Sequence, residues 1–380
     1  MNIGFTIIGG KTSWMGGINY LKNLLYAISK LQDDEIKPIL FVGEKTDIAL
    51  LKDFEGLAEI KRHSVFDRFS FNWFIDTLLR DLFQINPIIN KIIRANDIQG
   101  FSHSYIYGKD LACKTINWIP DFQHIHLPKM FSPLNLFVRN YRLKLLSKYS
   151  DSIVFSSNDA FDDFKKFSPE YVAKGKVIHF VSQSENVNYK TKQYLEDKYD
   201  FKGQYFFLPN QFWLHKNHKI AFEAINIASK KNKNILLICT GEMEDNRNSN
   251  HIVELNEIIS SNSLEKNILL LGKIPFNEML SLMKHSIAVI NPSFFEGWSS
   301  TVEESKTMQQ DIILSNIPVH IEQAKEIGTF FNPNDANELA TILLGRFKNQ
   351  QNDKIQYEIK DINIRTMEFA NQYKAALGAL

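Results

Sequence analysis

The chain has 380 residues, 44% of them hydrophobic, and its 44 Lys and Arg balance 43 Asp and Glu to a formal net charge of +1. That length favours two domains over one. The charge balance removes any global electrostatic case for nucleic acid as a partner.

In chain order, residues 1–10 (MNIGFTIIGG) lack the basic n-region of a secretory signal, and 3–8 read as a first strand. After a loop at 9–17, apolar residues Ile18, Leu21, Leu24, Leu25, Ile28 and Leu31 recur at helical spacing. Further strands are predicted at 37–42, 98–102, 115–119, 152–156 and 176–180. A polar stretch at 183–204, rich in Lys, Asn, Gln and Glu, is the expected linker. The alternation restarts with strands at 205–208, 235–240, 268–271, 287–290, 312–314 and 329–331, and 354–380 is helix-prone. Cys113 and Cys239 fall in apolar strand-like runs without metal-ligand spacing, as buried reduced thiols of a cytosolic protein do. No apolar run reaches the roughly 18 residues of a spanning helix. Alternating strands and helices imply α/β architecture with parallel sheets. The domains expected are 1–182, the linker 183–204, a second domain 205–350 and a terminal helical segment 351–380.

The most informative segment is 291–304, NPSFFEGWSSTVEE, which follows the apolar run at 286–290. A buried strand leads into a Pro/Ser/Gly loop, and Ser300 and Glu303 have the spacing of a capping box. Glu296 and Glu304 flank this turn. Acids favour helix N-termini, which accounts for Glu303. It does not account for Glu296 among Phe294, Phe295 and Trp298, where a carboxylate needs a polar partner. In open α/β sheets, ligands bind in the crevice where strands exit. Backbone N–H groups of 297–301 would suit phosphate or sugar oxygens.

This segment resembles the E-x7-E signature of retaining glycosyltransferases of family 4, and the likeness continues in order. Residues 311–323 (DIILSNIPVHIEQ) resemble that family's next strand and loop, and 330–339 (FFNPNDANEL) its following strand, turn and helix. Upstream, 208–218 (LPNQFWLHKNH) resemble the opening of the C-terminal domain in the bacterial polysaccharide-assembly branch. The likeness is good over 205–345 and looser in the N-terminal half. It implies the GT-B fold: two Rossmann-like doubly wound domains facing a cleft, with the last helix crossing back to the N-terminal domain.

The resemblance also implies roles. A nucleotide diphosphate sugar would be the donor, with no other cofactor and no metal. Lys216 would contact the diphosphate, Glu296 the sugar hydroxyls and Glu304 the ribose. Gly297, Trp298, Ser299, Ser300 and Thr301 would donate to sugar and phosphates. Ile274 lies at the family's base-contacting loop, or is a strand exit without a role. Asn210 and Gln211 stand where the family has a Gly-Arg pair; an amide lacks the charge and fork of Arg, so either His215 or another cation compensates or diphosphate binding is weaker. Gln310-Asp311 replaces a more usual Gly-x-Pro turn.

On the acceptor side, Gly16 and Gly17 open the first helix, either to admit a phosphate or sugar or as a plain tight turn. In 118–128 (WIPDFQHIHLP) a strand ends at Pro120, and Asp121, His124 and His126 follow on a loop. His124 matches the family histidine that contacts the donor sugar; a surface Asp–His contact without function is the other reading. A His/Asp pair at this spacing could suggest a metal, but no third ligand accompanies it.

The expected activity is retaining transfer of a hexose to a glycan or lipid-linked glycan, in bacterial O-antigen or capsule assembly, by a cytoplasmic protein that is either soluble or at most peripheral at the inner face of the cell membrane. The rivals are a GT-B sugar-nucleotide epimerase and a non-catalytic glycosyltransferase-like binding protein. Two basic, aromatic stretches, 61–94 and 137–148, suit either peripheral membrane contact or ordinary packing against the sheet. Ala substitution of Glu296 or Lys216 is expected to cut turnover with little change in thermal stability.

Overall fold

The computed structural model of the chain describes residues 1–8, 15–31, 35–183, 187–243, 250–349 and 359–378. They form two compact units, Met1–Ser182 with Asp361–Leu380, and Gln183–Lys360.

The first unit holds a parallel sheet of β1 (Asn2–Ile7), β2 (Lys37–Val42), β3 (Glu59–Arg62), β4 (Gly100–Ser102), β5 (Lys114–Ile119), β6 (Ser152–Phe155) and β7 (Gly175–Val177). Their spatial order is β3-β2-β1-β4-β5-β6-β7, so the winding reverses between β1 and β4. Interior strands are continuous apolar runs because helices cover both faces of a parallel sheet: Ile3, Phe5, Leu40, Val42, Ile153 and Val154 are fully buried. Every strand but β3 coincides with a predicted run. Three of the four β3 residues are charged, and the strand pairs only with β2 at the sheet edge. Such a strand carries little of the apolar signal that pattern reading needs.

The first helix, Met15–Ile28, buries Ile18, Leu21, Leu24, Leu25 and Ile28, as its spacing predicts; residues 9–14 of the predicted loop lie outside the described residues. The helix Ile362–Gly378 packs on it, burying Phe369, Ala370, Tyr373 and Leu377. Tyr20 meets Phe369 edge-on and Phe5 lies against Tyr373. The C-terminal helix thus belongs to the N-terminal unit; 351–358 and 379–380 of the predicted terminal segment lie outside the described residues.

The second unit holds β8 (Phe206–Leu208), β9 (Leu237–Cys239), β10 (Ile268–Leu270), β11 (Val289–Asn291), β12 (Ile312–Ser315) and β13 (Gly328–Phe331), in the order β10-β9-β8-β11-β12-β13. All are parallel, and each coincides with a predicted run. Here the winding reverses between β8 and β11. Within the stretch read as linker, Lys192–Tyr199 forms a helix capped by Thr191. Leu195 sits in the core, and Glu278 of the helix Phe276–His285 accepts hydrogen bonds from Tyr199 and, at 2.8 Å, from Lys198. Residues 184–186 lie outside the described set. Cys239 is buried in β9, while Cys113 is half-buried just before β5; both thiols are free, and burial pushes the Cys113 pKa up to about 12.

Candidate active site

The topology of the second sheet brings two strand exits together. Parallel strands end on the same edge, and β8 and β11 are neighbours at the point where the winding reverses. Loops leaving such a pair diverge in opposite directions and open a crevice. The loop after β8 carries Asn210 to Lys216; the loop after β11 carries Pro292 to Trp298.

At the centre lies Asn291, the last residue of β11 and fully buried. Its amide nitrogen donates to the Ser299 hydroxyl at 2.9 Å and reaches Glu296 Oε1 at 3.4 Å. Its Oδ1 accepts from Asn210 Nδ2 at 2.9 Å. The Ser293 hydroxyl lies 2.7 Å from both Asn291 Oδ1 and Glu296 Oε1, and its one proton serves one of them at a time. Lys216, in the short turn Leu214–Lys216, grips both Glu296 oxygens at 2.7 and 2.8 Å. Here is the polar partner that Glu296 requires.

The pair is nearly dry: the side chains of Lys216 and Glu296 are 15% and 9% exposed. Burial alone raises the Glu296 pKa, but the Lys216 ammonium, with His320 and His215 beyond it, brings it down to about 2. Glu296 is therefore an acceptor-only carboxylate across the physiological range. The expectation that Lys216→Ala leaves stability untouched is accordingly revised. Lys216 is no solvated loop lysine, and removing one member of a buried pair leaves the other uncompensated.

His320 stands behind this pair, on the helix Pro318–Ala324 after β12. Its Nδ1 lies 3.0 Å from both the hydroxyl and the carbonyl oxygen of Ser315. Donation to the carbonyl would leave Nε2 as the basic nitrogen. Burial holds the ring down to about 4 against the opposing pull of Glu296, so it is neutral at pH 7. Among the described residues its Nε2 has no hydrogen-bond partner.

The loops are locked by side-chain amides. Asn217 has the left-handed φ of 54°, which Asn tolerates better than most residues. Its Nδ2 donates to the carbonyls of Pro292 and Pro333, tying together the exits of β8, β11 and β13. Gln323 accepts from the Ser299 N–H and donates to the Ser299 carbonyl and to Glu303 Oε1. Gly241, at φ 138°, passes so near Asn210 that an added Cβ would lie 2.5 Å from its carbonyl oxygen.

Two details of the predicted turn change. The cap of the helix Ser300–Met308 is Ser299, whose hydroxyl accepts from the Val302 N–H. Glu303 falls one position too late for a capping box and instead binds Lys306 and Gln323. The Ser299 N–H is engaged by Gln323 rather than open to a ligand. Glu304 is buried one residue further on, and Thr301 Oγ1 lies 3.4 Å from Asn210 Oδ1. Asn210 is thus buried and tied to Asn291 and Thr301, while Gln211 and His215 continue the loop, His215 buried and Gln211 half-buried. Gly297 and Trp298 precede the cap, and Lys306 lies over the Trp298 ring. Ile274, half-buried, packs on the core under the sheet.

In the N-terminal unit, Gly16 and Gly17 lie in the first turn of their helix. The predicted loop after β5 is instead a short helix, Gln123–His126. His124 is 2% exposed, ringed by Phe122, Phe131 and Phe167, with Nε2 on Asn140 at 2.9 Å. Burial, aided by Arg139, lowers its pKa. Asp121 accepts from the Gln123 N–H and faces Arg139 at 3.6 Å; His126 pairs with Asp163. Among the described residues no group of three or more His, Cys, Asp or Glu could hold a metal, and no helix is long and apolar enough to cross a membrane.

The sequence model of the glycosyl transferases group 1 family matches residues 193–360. The O-antigen chain mannosyltransferase RfbU of Salmonella typhimurium is 23% identical over 239 residues, 60% of this chain; the match spans 62% of that relative's length. Among solved structures, Anabaena Alr3699/HepE in complex with UDP and glucose superposes with a TM-score of 0.70 at 16% identity, over 100% of both chains. The apo lipopolysaccharide outer core galactosyltransferase WaaB gives 0.63 at 13% identity, over 100% of this chain and 99% of that one. These structural likenesses give the fold, GT-B.

Proposed function

We propose that the chain is a retaining family 4 member of the group 1 glycosyl transferases, whose model matches residues 193–360, and that it transfers a hexose from a nucleotide diphosphate sugar to a growing bacterial surface polysaccharide. The observation that carries the proposal is the buried Lys216–Glu296 pair at the β8/β11 switch. In the resting protein the two charges satisfy each other. An arriving diphosphate offers Lys216 a more highly charged partner. Glu296, held ionised, is then free to accept hydrogen bonds from the hydroxyls of the sugar.

The chemistry follows from those positions. The bond between the anomeric carbon and the diphosphate oxygen breaks, and the acceptor oxygen bonds to that carbon on the same face. The acceptor's proton passes to the departing diphosphate, so no side chain need act as base. Lys216, and the N–H groups of the first turn of Ser300–Met308, stabilise the charge that develops on the leaving group. Glu304 would take the ribose. Asn210 has no charge to offer the phosphates; its part is to hold Asn291 and Thr301.

The purified protein is to be incubated with UDP-, GDP- and dTDP-hexoses and a glycan extract, with UDP-glucose first because HepE was solved with UDP and glucose. Acceptor-dependent nucleotide release supports transfer. Isomerisation of the donor without acceptor would point to an epimerase instead, and donor binding with neither outcome would count against catalysis at this site.

A further inference from the structure

A surface of the N-terminal unit is built inside out. The helix Phe71–Leu78 continues into a π-turn, Leu79–Phe83. Asp76 is the buried residue of that helix, whereas Phe71, Phe74, Leu78 and Leu82, one helical stripe, are 78%, 59%, 45% and 58% exposed. The polar groups turn inward. Asp76 pairs with Arg80, and Asp81 accepts from the Tyr107 hydroxyl at 2.8 Å and pairs with Arg142 at 2.6 Å. A helix packed on a sheet in water has the opposite arrangement, and clustered exposed apolar side chains mark a contact surface.

A second stripe adjoins the first. On the helix Pro133–Tyr149, Leu134, Phe137 and Tyr141 recur at helical spacing and are all exposed. The Tyr141 hydroxyl donates to the Asp81 carbonyl at 2.7 Å, which fixes this stripe beside Leu82 and Phe83. Beside the second stripe the cations outnumber the acids, although Arg142 is paired with Asp81 and Arg139 with Asp121. Residues 127–150 contain Lys129, Arg139, Arg142, Lys144 and Lys148 and no acid, and the guanidinium of Arg68 covers the ring of the exposed Phe69.

We propose that these two stripes dock the N-terminal unit on a lipid bilayer surface bearing anionic headgroups. The Phe and Leu side chains enter the boundary between headgroups and acyl chains, and the surrounding Lys and Arg meet lipid phosphates. A second copy of the chain is a poorer occupant. A symmetric pairing of the two patches would set cationic rims of like sign together, whereas an anionic surface complements them. This inference is independent of the sugar-transfer reading, since none of these residues lies in the C-terminal unit.

The test is flotation of the full chain with phosphatidylglycerol/phosphatidylethanolamine vesicles and with phosphatidylcholine vesicles. Binding is expected to the anionic vesicles, weakening as salt rises. The triple variant Phe71→Ser/Phe74→Ser/Phe137→Ser should bind about tenfold or more weakly, with unchanged melting temperature and unchanged turnover on a water-soluble acceptor. A readout that needs no variant is amide exchange of the wild-type protein, in which anionic vesicles should protect 69–83 and 132–141. Absence of flotation with anionic vesicles would overturn the proposal. So would protection confined to other segments, or a concentration-dependent dimer that the triple variant abolishes without any vesicle binding.

Discussion

Two strand exits, one in each unit, matched family positions for sugar-contacting residues, and the chain builds them on different physical principles. The exit of β11 surrounds Glu296 with Lys216, Ser293 and Asn291, so a buried charge is held by opposite charge and hydrogen bonds. The exit of β5 surrounds His124 with aromatic rings and gives it one neutral amide partner, Asn140. The first arrangement keeps a buried carboxylate ionised; the second keeps a ring neutral and in place. Motif position alone does not distinguish such sites. The surrounding charge does.

The comparison can be broken from the β11 side first. Glu296→Gln preserves shape and removes the charge, and turnover should fall by about 100-fold to 1,000-fold in a nucleotide-release assay. The next largest effect concerns stability. Lys216→Ala should cost about 3–5 kcal/mol by orphaning Glu296, read as a lowered denaturation midpoint. Lys216→Met combined with Glu296→Gln should recover most of that loss while turnover stays low, the non-additivity expected of residues in contact. A Lys216→Ala protein as stable as wild type would mean that the pair is not a buried unit.

Acid stability sharpens the same contrast. Glu296 has an ordinary value of 4.5 and sits near 2 in the fold, so the unfolded chain takes up its proton first as pH falls. Its contribution is present above 4.5 and is lost towards 2. His320 falls from 6.5 to about 4, so the unfolded state again binds the proton first, and stability declines as pH drops through that interval. His103 and His218, both held at about 3 by burial, act in the same sense. Melting temperature should therefore fall steadily from pH 6.5 downward, and His320→Gln should make the upper part of that decline shallower. The smallest expected effect is on the β5 side. His124→Ala should cost about 1–3 kcal/mol through the lost ring and the abandoned Asn140, with a smaller loss of turnover than Glu296→Gln. The reverse order would make His124 the dominant sugar contact.

Much of this molecule is legible in its sequence, for identifiable reasons. Fully buried parallel strands are short apolar runs, so both sheets are readable, with β3 missed because Glu59, Lys61 and Arg62 carry no such signal. The helix 192–199 was hidden by its polarity; Leu195 alone is buried. Glu296 stood out as a charge in an apolar context. Its supports did not, because Asn217, Asn291, Gln323 and His320 come from four different segments and acquire meaning only when the loops meet. Asn217, directly before a helix, carried the one local hint, since Asn favours the left-handed backbone found there. The inside-out helix Phe71–Leu78 was visible as an aromatic, basic run, but whether its rings faced the sheet or the solvent is set by packing.

The most direct measurement of the central claim is calorimetric binding of the donor that supports turnover and of its free nucleotide diphosphate, to wild type, Lys216→Met and Glu296→Gln. If Lys216 holds the diphosphate and Glu296 the sugar, Lys216→Met weakens both ligands, whereas Glu296→Gln weakens the nucleotide sugar and leaves the nucleotide diphosphate nearly unchanged. Equal losses for both ligands in both variants, or no loss in either, would contradict the account.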